Sequence, residues 1–304
     1  MPNRLLSWIC VLGLIAPWPL ALAQPAQEAA LPAYQLADTE VLPIPAPALG
    51  RVYEAFVALP KGYAQSNRRY PVVYVTDAAY AFPLVRAIAA RVRDHGVGLE
   101  DFILVGLSYA KGDSGTTSRN RDYTPTDRHA KPGSDERPGA YGQAAAYLDY
   151  LRTTALPAVE RRYRADPGRR IYVGHSYGSL LGIHALLTEP TLFSHYVLGS
   201  PSLWYDDHHA FEAERRYAST HRQMPAQVRF YIGSFEQIRK GVPRYDTHYD
   251  MVGDLARFVA QMRSHRYQGL NLQSQVLGDE DHATVFPALI TRGLMWALPK
   301  PTGR

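Results

Sequence analysis

The pattern of apolar and polar residues changes its period repeatedly along the chain. Short runs of mostly β-branched apolar residues, typical of buried strands, recur between longer segments with apolar residues at helical spacing. An edge strand is expected near Gln35–Leu42. The apolar runs predict further strands at Arg51–Leu59, Pro71–Thr76, Phe102–Leu107, Arg170–Val173, Tyr196–Leu198, Val228–Ile232 and Leu272–Val276. Helical spacing predicts helices at Pro83–His95, Gly139–Tyr163, Ser176–Thr188, Arg244–His265 and Pro287–Leu298.

Strands and helices alternate from residue 71 onward, which indicates right-handed βαβ units and a mainly parallel sheet. We therefore predict an α/β fold with a twisted sheet, helices on both of its faces, and one domain over residues 51–304. Residues 24–50 are rich in Ala and Pro and are expected to form a linker and edge segment. Ser108–Pro138 is an irregular polar insertion with almost no apolar residues, and such long loops are usually functional or mobile.

The first 23 residues have the features of a secretory signal. The nearly all-apolar stretch Leu5–Leu22 follows a positive charge and ends in the A-x-A sequence Ala21–Ala23. A membrane anchor is the alternative, because this stretch approaches spanning length. Pro17 and Pro19 near its end favour cleavage instead. We therefore expect a signal peptide over residues 1–23 and no stable membrane anchor.

Composition and charge narrow the functional classes. An apolar content of 46% with 20% charged residues is typical of a globular protein. The net charge is 33 − 28 = +5, which is too weak to indicate nucleic acid but suits an anionic small molecule. The 21 Tyr against 9 Phe fit either a wet aromatic pocket or half-buried positions.

Cysteine usage points to a compartment. The single cysteine, Cys10, lies inside the expected signal peptide. The processed chain would therefore have neither disulfides nor thiol chemistry. A large exported protein without disulfides is typical of a bacterial periplasm or cell exterior, and we expect a periplasmic location.

The strongest motif is the G-x-S-x-G sequence Gly174–Gly178. It follows the predicted strand Arg170–Val173 and opens a helix, as a nucleophile elbow requires. This turn would lift the Ser176 hydroxyl above the sheet and place the Tyr177 N–H at a helix N-terminus, where it can meet a developing oxyanion. The alternative is a glycine-rich helix start without catalytic function.

A serine nucleophile needs a base, and in this type of fold the order along the chain is Ser, acid, His. His282 has the required late position, on a polar loop after the strand Leu272–Val276. His248 and His265 belong to a predicted helical segment, where a solvated face is the better interpretation. We therefore expect His282 to be the base.

The acid is expected just after the strand Val228–Ile232. Glu236 lies there and would hold the base in the correct tautomer. Asp246 is the second candidate, and Asp206 or Asp207 is a weaker third. An exposed surface glutamate is the alternative interpretation of Glu236.

The second oxyanion donor is expected in the loop after the strand Val72–Thr76. The Ala79 N–H is our candidate, and Asp77 is expected to fix the loop. His208 and His209 follow an acidic pair and could bind a metal. Two His and two Asp without further ligands are weak evidence, so we favour a solvated loop and predict neither a metal site nor a cofactor.

Several segments, in order along the chain from about residue 50, resemble a known family. They are Tyr70–Asp77, Ser118–Pro125, Gly174–Gly178, Ser200–Trp204, Gly233–Glu236 and Asp281–His282. Together they resemble the Putative esterase branch of the α/β-hydrolases, and within it the siderophore esterases that open catecholate trilactones such as enterobactin. Ser118–Pro125 and Ser200–Trp204 are the more discriminating segments, because any α/β-hydrolase can carry the elbow.

The resemblance implies an α/β-hydrolase catalytic domain and places the family's nucleophile, acid and base on the three residues that the strand order favours. The chain departs from the family pattern at Ala78, Ser179 and Ala283, where the family often has glycine. Each change replaces one small residue by another. We expect these changes to spare the chemistry and to reshape the pocket.

A ferric tris-catecholate is anionic and has flat aromatic arms, on which guanidinium groups can stack. Arg119 and Arg121 in the polar insertion are therefore candidate substrate contacts. The alternative is that they form structural ion pairs with Asp122 or Asp127. Trp204 is expected beside the pocket, as a further candidate contact.

The sequence thus predicts a periplasmic serine esterase that opens a ferric catecholate siderophore, whose iron arrives with the substrate. It predicts no nucleic-acid partner. The alternatives within the fold are a general or feruloyl-type carboxylesterase and an acyltransferase. The alternative from another class is a periplasmic siderophore-binding protein whose triad is idle.

Overall fold

The computed structural model describes residues 31–300 apart from residues 32, 96–97, 129–138 and 247. The expected signal peptide therefore lies outside the described residues. Leu36 onward forms one compact unit. Its strands are β1 Thr39–Ala46, β2 Arg51–Ala58, β3 Tyr70–Val75, β4 Ile103–Leu107, β5 Ala165–His175, β6 His195–Gly199, β7 Gln227–Gly233 and β8 Asn271–Leu277. Its helices are α1 Ala78–His95, α2 Gly115–Tyr123, α3 Ala144–Tyr150, α4 Leu156–Arg162, α5 Tyr177–Thr188, α6 Tyr205–Thr220, α7 Met251–Ser264 and α8 Val285–Ala297.

These strands form one sheet in the order β1-β2-β4-β3-β5-β6-β7-β8. β2 pairs antiparallel with both β1 and β4, and every other neighbouring pair is parallel. The predicted α/β fold with a mainly parallel sheet is confirmed. Parallel pairing brings the carboxyl ends of β3, β5, β6, β7 and β8 to one edge of the sheet, where α/β proteins place their sites.

The two faces of the sheet are covered by different helices. In β3, Tyr74 contributes to the core cluster that includes residues of α3, α5, α6 and α7, whereas Val73 and Val75 belong to the cluster with α1 and α8. Consecutive strand residues point to opposite faces, so the continuous apolar run fills both clusters. No helix among the described residues has the length and apolarity needed to cross a membrane.

Many tyrosines lie deeper than either sequence interpretation expects. The largest fully buried side chains include Tyr70, Tyr74, Tyr123, Tyr147, Tyr172, Tyr196, Tyr205 and Tyr231. Several of their hydroxyl groups have internal acceptors: Tyr172 Oη donates to the Gly178 carbonyl at 2.6 Å. Tyr in this core therefore combines apolar packing with hydrogen bonding to buried backbone.

The expectation of an irregular loop over Ser108–Pro138 is wrong at α2. Ser114 caps this helix, its side chain accepting a hydrogen bond from the Thr117 N–H at 3.0 Å. The buried side of α2 is mostly polar, so the sequence has no apolar residues at helical spacing there that would predict this helix. Asp122, 1% exposed, accepts hydrogen bonds from Ser118 and from Tyr53 of β2.

Helix α6 was also not predicted, and it corrects the solvated-loop interpretation for His209. Asp206 to His208, although they lie within the bounds of α6, have non-helical backbone angles, and His208 is exposed, with its Nε2 3.0 Å from Asp254 Oδ1 of α7. The helical segment predicted from Arg244 begins only at Met251, with His248 before it and His265 at its C-cap. Among the described residues, no group of three or more His, Cys, Asp or Glu side chains is placed to hold a metal ion.

The contact of α5 with the sheet depends on a residue without a side chain. A Cβ on Gly182 would lie 2.5 Å from Leu198 Cδ2 and 2.6 Å from Tyr172 Cε1. Overpacking a core costs about 1–3 kcal/mol, more than the roughly 1 kcal/mol that Ala gains over Gly in a helix. We expect Gly182→Ala to lower the free energy of unfolding by roughly 1 kcal/mol in urea titrations.

Gly168→Ala is the matched control. Gly168 is an exposed residue near the start of β5, and the nearest neighbour to an added Cβ is an Asp166 side-chain oxygen at 3.4 Å. We expect this variant to stay within about 0.5 kcal/mol of the wild type. A Gly182→Ala protein at least as stable as the wild type would show that the Leu198 and Tyr172 side chains can move to admit the added methyl group without a loss of stability.

Candidate active site

Ser176 occupies a sharp turn between β5 and α5. Its backbone has φ +58° and ψ −119°, and its N–H donates to the Gly199 carbonyl at 2.9 Å. A Cβ on Gly174 would collide with the Gly178 backbone, and one on Gly178 would collide with Thr76 Oγ1. The two glycines are therefore required for the close approach that this strand–turn–helix makes.

The same backbone feature recurs at neighbouring strand ends. Asp77 after β3, Ser200 after β6 and Asp279 after β8 have φ of 58°, 42° and 62°, and Ser176 after β5 has 58°. Non-glycine residues in this left-handed region carry strain of order 1–3 kcal/mol, and such residues cluster at functional sites. The strained backbone thus marks the carboxyl edge of the sheet as the candidate site.

His282 and Glu236 form a short hydrogen-bonded pair at this edge. His282 Nδ1 donates to Glu236 Oε2 at 2.6 Å. The other carboxylate oxygen, Oε1, accepts from Ser200 Oγ at 2.6 Å and from the Gly233 N–H at 2.8 Å. The Glu236 side chain is 2% exposed and that of His282 is 43% exposed. A buried, fully bonded carboxylate thus fixes the orientation of a more exposed imidazole.

Ser176 and His282 lie on the wall of one cavity of about 550 Å³, together with Arg119, His175 and Tyr109. Among the described residues, Ser176 Oγ has its hydrogen-bonding contact with Ser202 Oγ at 3.3 Å rather than with His282. Hydrogen bonds between nucleophile and base are often loose without substrate. The structure therefore brings Ser176, His282 and Glu236 to one site with the Ser–His contact still open.

The buried carboxylate of Asp77 forms an ion pair with Arg119, which lines this cavity. Arg119 Nε lies 2.7 Å from Asp77 Oδ1, and Asp77 also accepts a hydrogen bond from Tyr109 Oη at 2.7 Å. Burial raises the pKa of Asp77, while Arg119 and the tyrosine hydroxyls of Tyr109 and Tyr80 oppose that rise. The ion pair fixes Arg119 in the wall, with a quarter (25%) of its side chain exposed.

His175 is a neutral neighbour of His282. Burial lowers the pKa of His175 to about 3, with smaller contributions from the nearby His282 and Arg119. The two imidazole rings lie 4.6 Å apart between centroids. His282 therefore packs against a ring that stays uncharged at neutral pH.

The two oxyanion candidates both lie at helix starts. Tyr177 is the first residue of α5, and Ala79 is the second residue of α1, which follows β3. Backbone N–H groups in a first helical turn have no partner within the helix and face the positive end of its dipole. Both groups have the character that a developing oxyanion needs.

Three further candidates, Arg121, Asp246 and Trp204, are not among the residues that line the Ser176 cavity. The Arg121 guanidinium donates to Asp122 at 2.8 Å and to Asp113 at 2.7 Å, beside a different cleft, so the structure does not bring it to the Ser176 cavity. Asp246 accepts hydrogen bonds from backbone N–H groups, including that of Tyr249 at 3.1 Å. Trp204 stacks on Tyr249, with centroids 4.1 Å apart.

Asp206 and Asp207, the weakest acid candidates, lie in the first turn of α6. Residues that the sequence interpretation missed include Tyr80, Tyr109, Thr116, His175 and Phe286, which all line the cavity. Two of these residues could have been found from their position in the sequence, because Tyr80 and Tyr109 follow shortly after the carboxyl ends of β3 and β4.

Curated relatives share most of their length with this chain. The ferri-bacillibactin esterase BesA of Bacillus subtilis is 27% identical over 88% of this chain and 91% of its own. A siderophore enterobactin esterase of Emericella nidulans is 25% identical over 92% of this chain and 97% of its own.

A solved structure and a family model agree with these relatives. The IroE-like serine hydrolase of Shewanella oneidensis aligns with a TM-score of 0.71 and 25% identity, covering 84% of this chain and 78% of that chain. The model described as Putative esterase matches residues 46–262, which is more than half of the chain. The protein therefore belongs to the Putative esterase family, with an α/β-hydrolase fold.

Proposed function

We propose that this protein is a serine esterase that hydrolyses the ester bonds of a ferric catecholate siderophore, such as the trilactone enterobactin. The observation that carries the proposal is the 2.6 Å hydrogen bond between His282 and the buried Glu236, beside Ser176 on a strained elbow. A nucleophile, a base and a group that orients the base are the parts that acyl transfer requires.

In this mechanism, Ser176 Oγ attacks the ester carbonyl carbon while His282 Nε2 accepts the hydroxyl proton. Glu236 keeps the proton on Nδ1 and stabilises the imidazolium. The N–H groups of Tyr177 and Ala79 donate to the oxyanion. His282 then gives its proton to the leaving alkoxide, and the C–O ester bond breaks. Water, deprotonated by His282, releases the carboxylate product from Ser176 by the same steps.

The substrate class is supported by three observations. The relatives named above are called siderophore esterases, the chain has a net charge of +5, and Arg119 lies in the cavity wall with Ser176. Iron is bound to the substrate and leaves with it. Opening the lactone would weaken chelation, because the chelating arms lose the effective concentration that the tether supplies. Since residues 1–23 fit a signal peptide, we place the reaction in the periplasm.

The direct test is mass spectrometry of products after mixing the protein with enterobactin, iron-loaded and iron-free. We expect ring-opened linear product with the wild type. Ser176→Ala removes the attacking oxygen, so we expect the rate to fall at least about a thousandfold while ligand binding remains.

Thr188→Ala, a hydroxyl removed from the exposed end of α5, is the matched control and should leave the rate unchanged. Hydrolysis retained by Ser176→Ala would refute the assignment of the nucleophile. An intact trilactone with wild-type protein in both iron states would leave a general or feruloyl-type esterase as the better function. A product esterified to an added alcohol would indicate an acyltransferase.

A second experiment tests the role of the negative charge on Glu236. Glu236→Gln keeps the shape of the side chain but lets an amide N–H face His282 Nδ1, which favours the wrong tautomer. We expect kcat to fall by about 10²–10⁴-fold with little change in KM. The measurement is steady-state hydrolysis of a soluble ester across pH 5–9.

Asp246→Asn provides the comparison, because Asp246 was the second candidate for the acid. The amide oxygen of Asn can replace the carboxylate oxygen that accepts the hydrogen bond from the Tyr249 N–H. We expect this variant to retain kcat within about threefold. If Asp246→Asn lost activity as strongly as Glu236→Gln, the acid would not be assigned to Glu236.

A further inference from the structure

A group of aromatic side chains lies next to Ser176 but outside the cavity that contains His282. We call Tyr177, Trp204 and Tyr249 the aromatic shelf. Trp204 stacks on Tyr249 with centroids 4.1 Å apart and ring planes within 11°. Its ring also lies 6.1 Å from that of Tyr177 and 6.4 Å from that of the buried Tyr205, which supports the shelf from below the surface. The three rings of the shelf are thus contiguous.

The shelf is joined to the nucleophile through short connections. Tyr177 follows Ser176 directly, and Ser202, two residues before Trp204, has its hydroxyl 3.3 Å from that of Ser176. The walls of the His282 cavity are formed by other residues, including Tyr80 and Tyr109. An ester at Ser176 therefore has two neighbouring surfaces, one with the base and one made of rings.

The backbone around the shelf is held in a costly conformation. The three consecutive residues after Tyr205, Asp206 to His208, have φ of 46°, 53° and 64°. Such residues cost of order 1–3 kcal/mol each and cluster at ligand-binding sites. On the other side of the shelf, Asp246 accepts hydrogen bonds from the N–H groups of His248 and Tyr249, which fixes the loop that presents the Tyr249 ring.

The stacked pair is available to a ligand. Tyr249 is 40% exposed, whereas many other tyrosines of the chain are buried in the core. The Arg119 guanidinium carbon lies 5.6 Å from the Tyr177 ring centroid, so this cation lies between the cavity and the aromatic shelf. Flat aromatic surface beside a cation suits a planar ring that bears negative charge.

We propose that the aromatic shelf is the binding site for the planar ring of an N-aroyl amino-acid ester, and that it selects esters with aromatic arms over esters with aliphatic or hydroxamate arms. This proposal rests on the proposed function, which supplies the ester at Ser176. In such a substrate the aroyl ring is only a few bonds from the ester carbonyl, so the ring can reach the shelf while the carbonyl meets Ser176. Arg119 then lies near the ring's phenolate oxygens.

The test compares two esters that differ only in the ring: the methyl esters of N-(2,3-dihydroxybenzoyl)serine and N-acetylserine. We expect wild type to prefer the aroyl ester. Trp204→Ala and Tyr249→Ala should each reduce the ratio of the two kcat/KM values by about three- to tenfold, because each removes stacking area. Trp296→Phe, in α8 beside Arg229, should leave the ratio unchanged. An unchanged ratio in both shelf variants would overturn the proposal, even if both rates fell.

Binding gives a second readout that does not need turnover. In the Ser176→Ala protein, 2,3-dihydroxybenzamide should quench tryptophan fluorescence at saturation. Trp204→Phe should abolish that quenching, Trp296→Phe should keep it, and Tyr249→Ala should raise the Kd about three- to tenfold. Quenching that survives Trp204→Phe would overturn the proposal. If wild type hydrolysed neither ester, the trilactone assay would decide the proposed function, and the binding result would still decide whether the shelf binds the ring.

Discussion

The hydrogen bond between Glu236 and His282 is the interaction on which the candidate site depends. Its partners are 46 residues apart and meet because β7 and β8 pair in parallel, with Gly233 opposite Leu277. The pairing of β6 with β7 brings Ser200 to the same carboxylate. A buried carboxylate is costly unless it is fully bonded, and three donors meet that need. The register of three strands is therefore a condition for the base to be oriented.

Much of this arrangement could be predicted from the sequence, because its signals are local. Apolar runs located the strands, and the Ser–acid–His order placed Glu236 and His282 at successive strand ends. Helix α2 could not be located in this way, since its buried residues other than Tyr123 are polar. They are satisfied by partners such as Tyr53, which is 69 residues away in sequence from Asp122. Hydrophobic periodicity detects only helices that bury apolar side chains. The buried face of α2 depends on tertiary partners that the local pattern does not contain.

The two arginines of α2 show a second limit. Arg119 and Arg121 are two positions apart, and in a helix such side chains point about 160° away from each other. Only one of them can therefore face the cavity. Arg119 does so beside Asp77, while Arg121 turns to Asp113 and Asp122. The sequence motif does not distinguish the two arginines, because the rotation of α2 against the sheet determines which of them faces the cavity. That rotation is set by the buried Asp122 network.

The pairing of Arg119 with Asp77 also changes what the cavity can recognise. A guanidinium 2.7 Å from a buried carboxylate contributes little net charge at a distance, and salt screens what remains beyond about 8 Å. Attraction of an anionic substrate therefore cannot by itself distinguish one siderophore from another at this site. Discrimination must come from contacts that depend on shape, and the rings of Trp204 and Tyr249 offer such contacts beside Ser176. The ion pair positions the cation, and in the proposal made above the aromatic shelf selects the ligands that reach it.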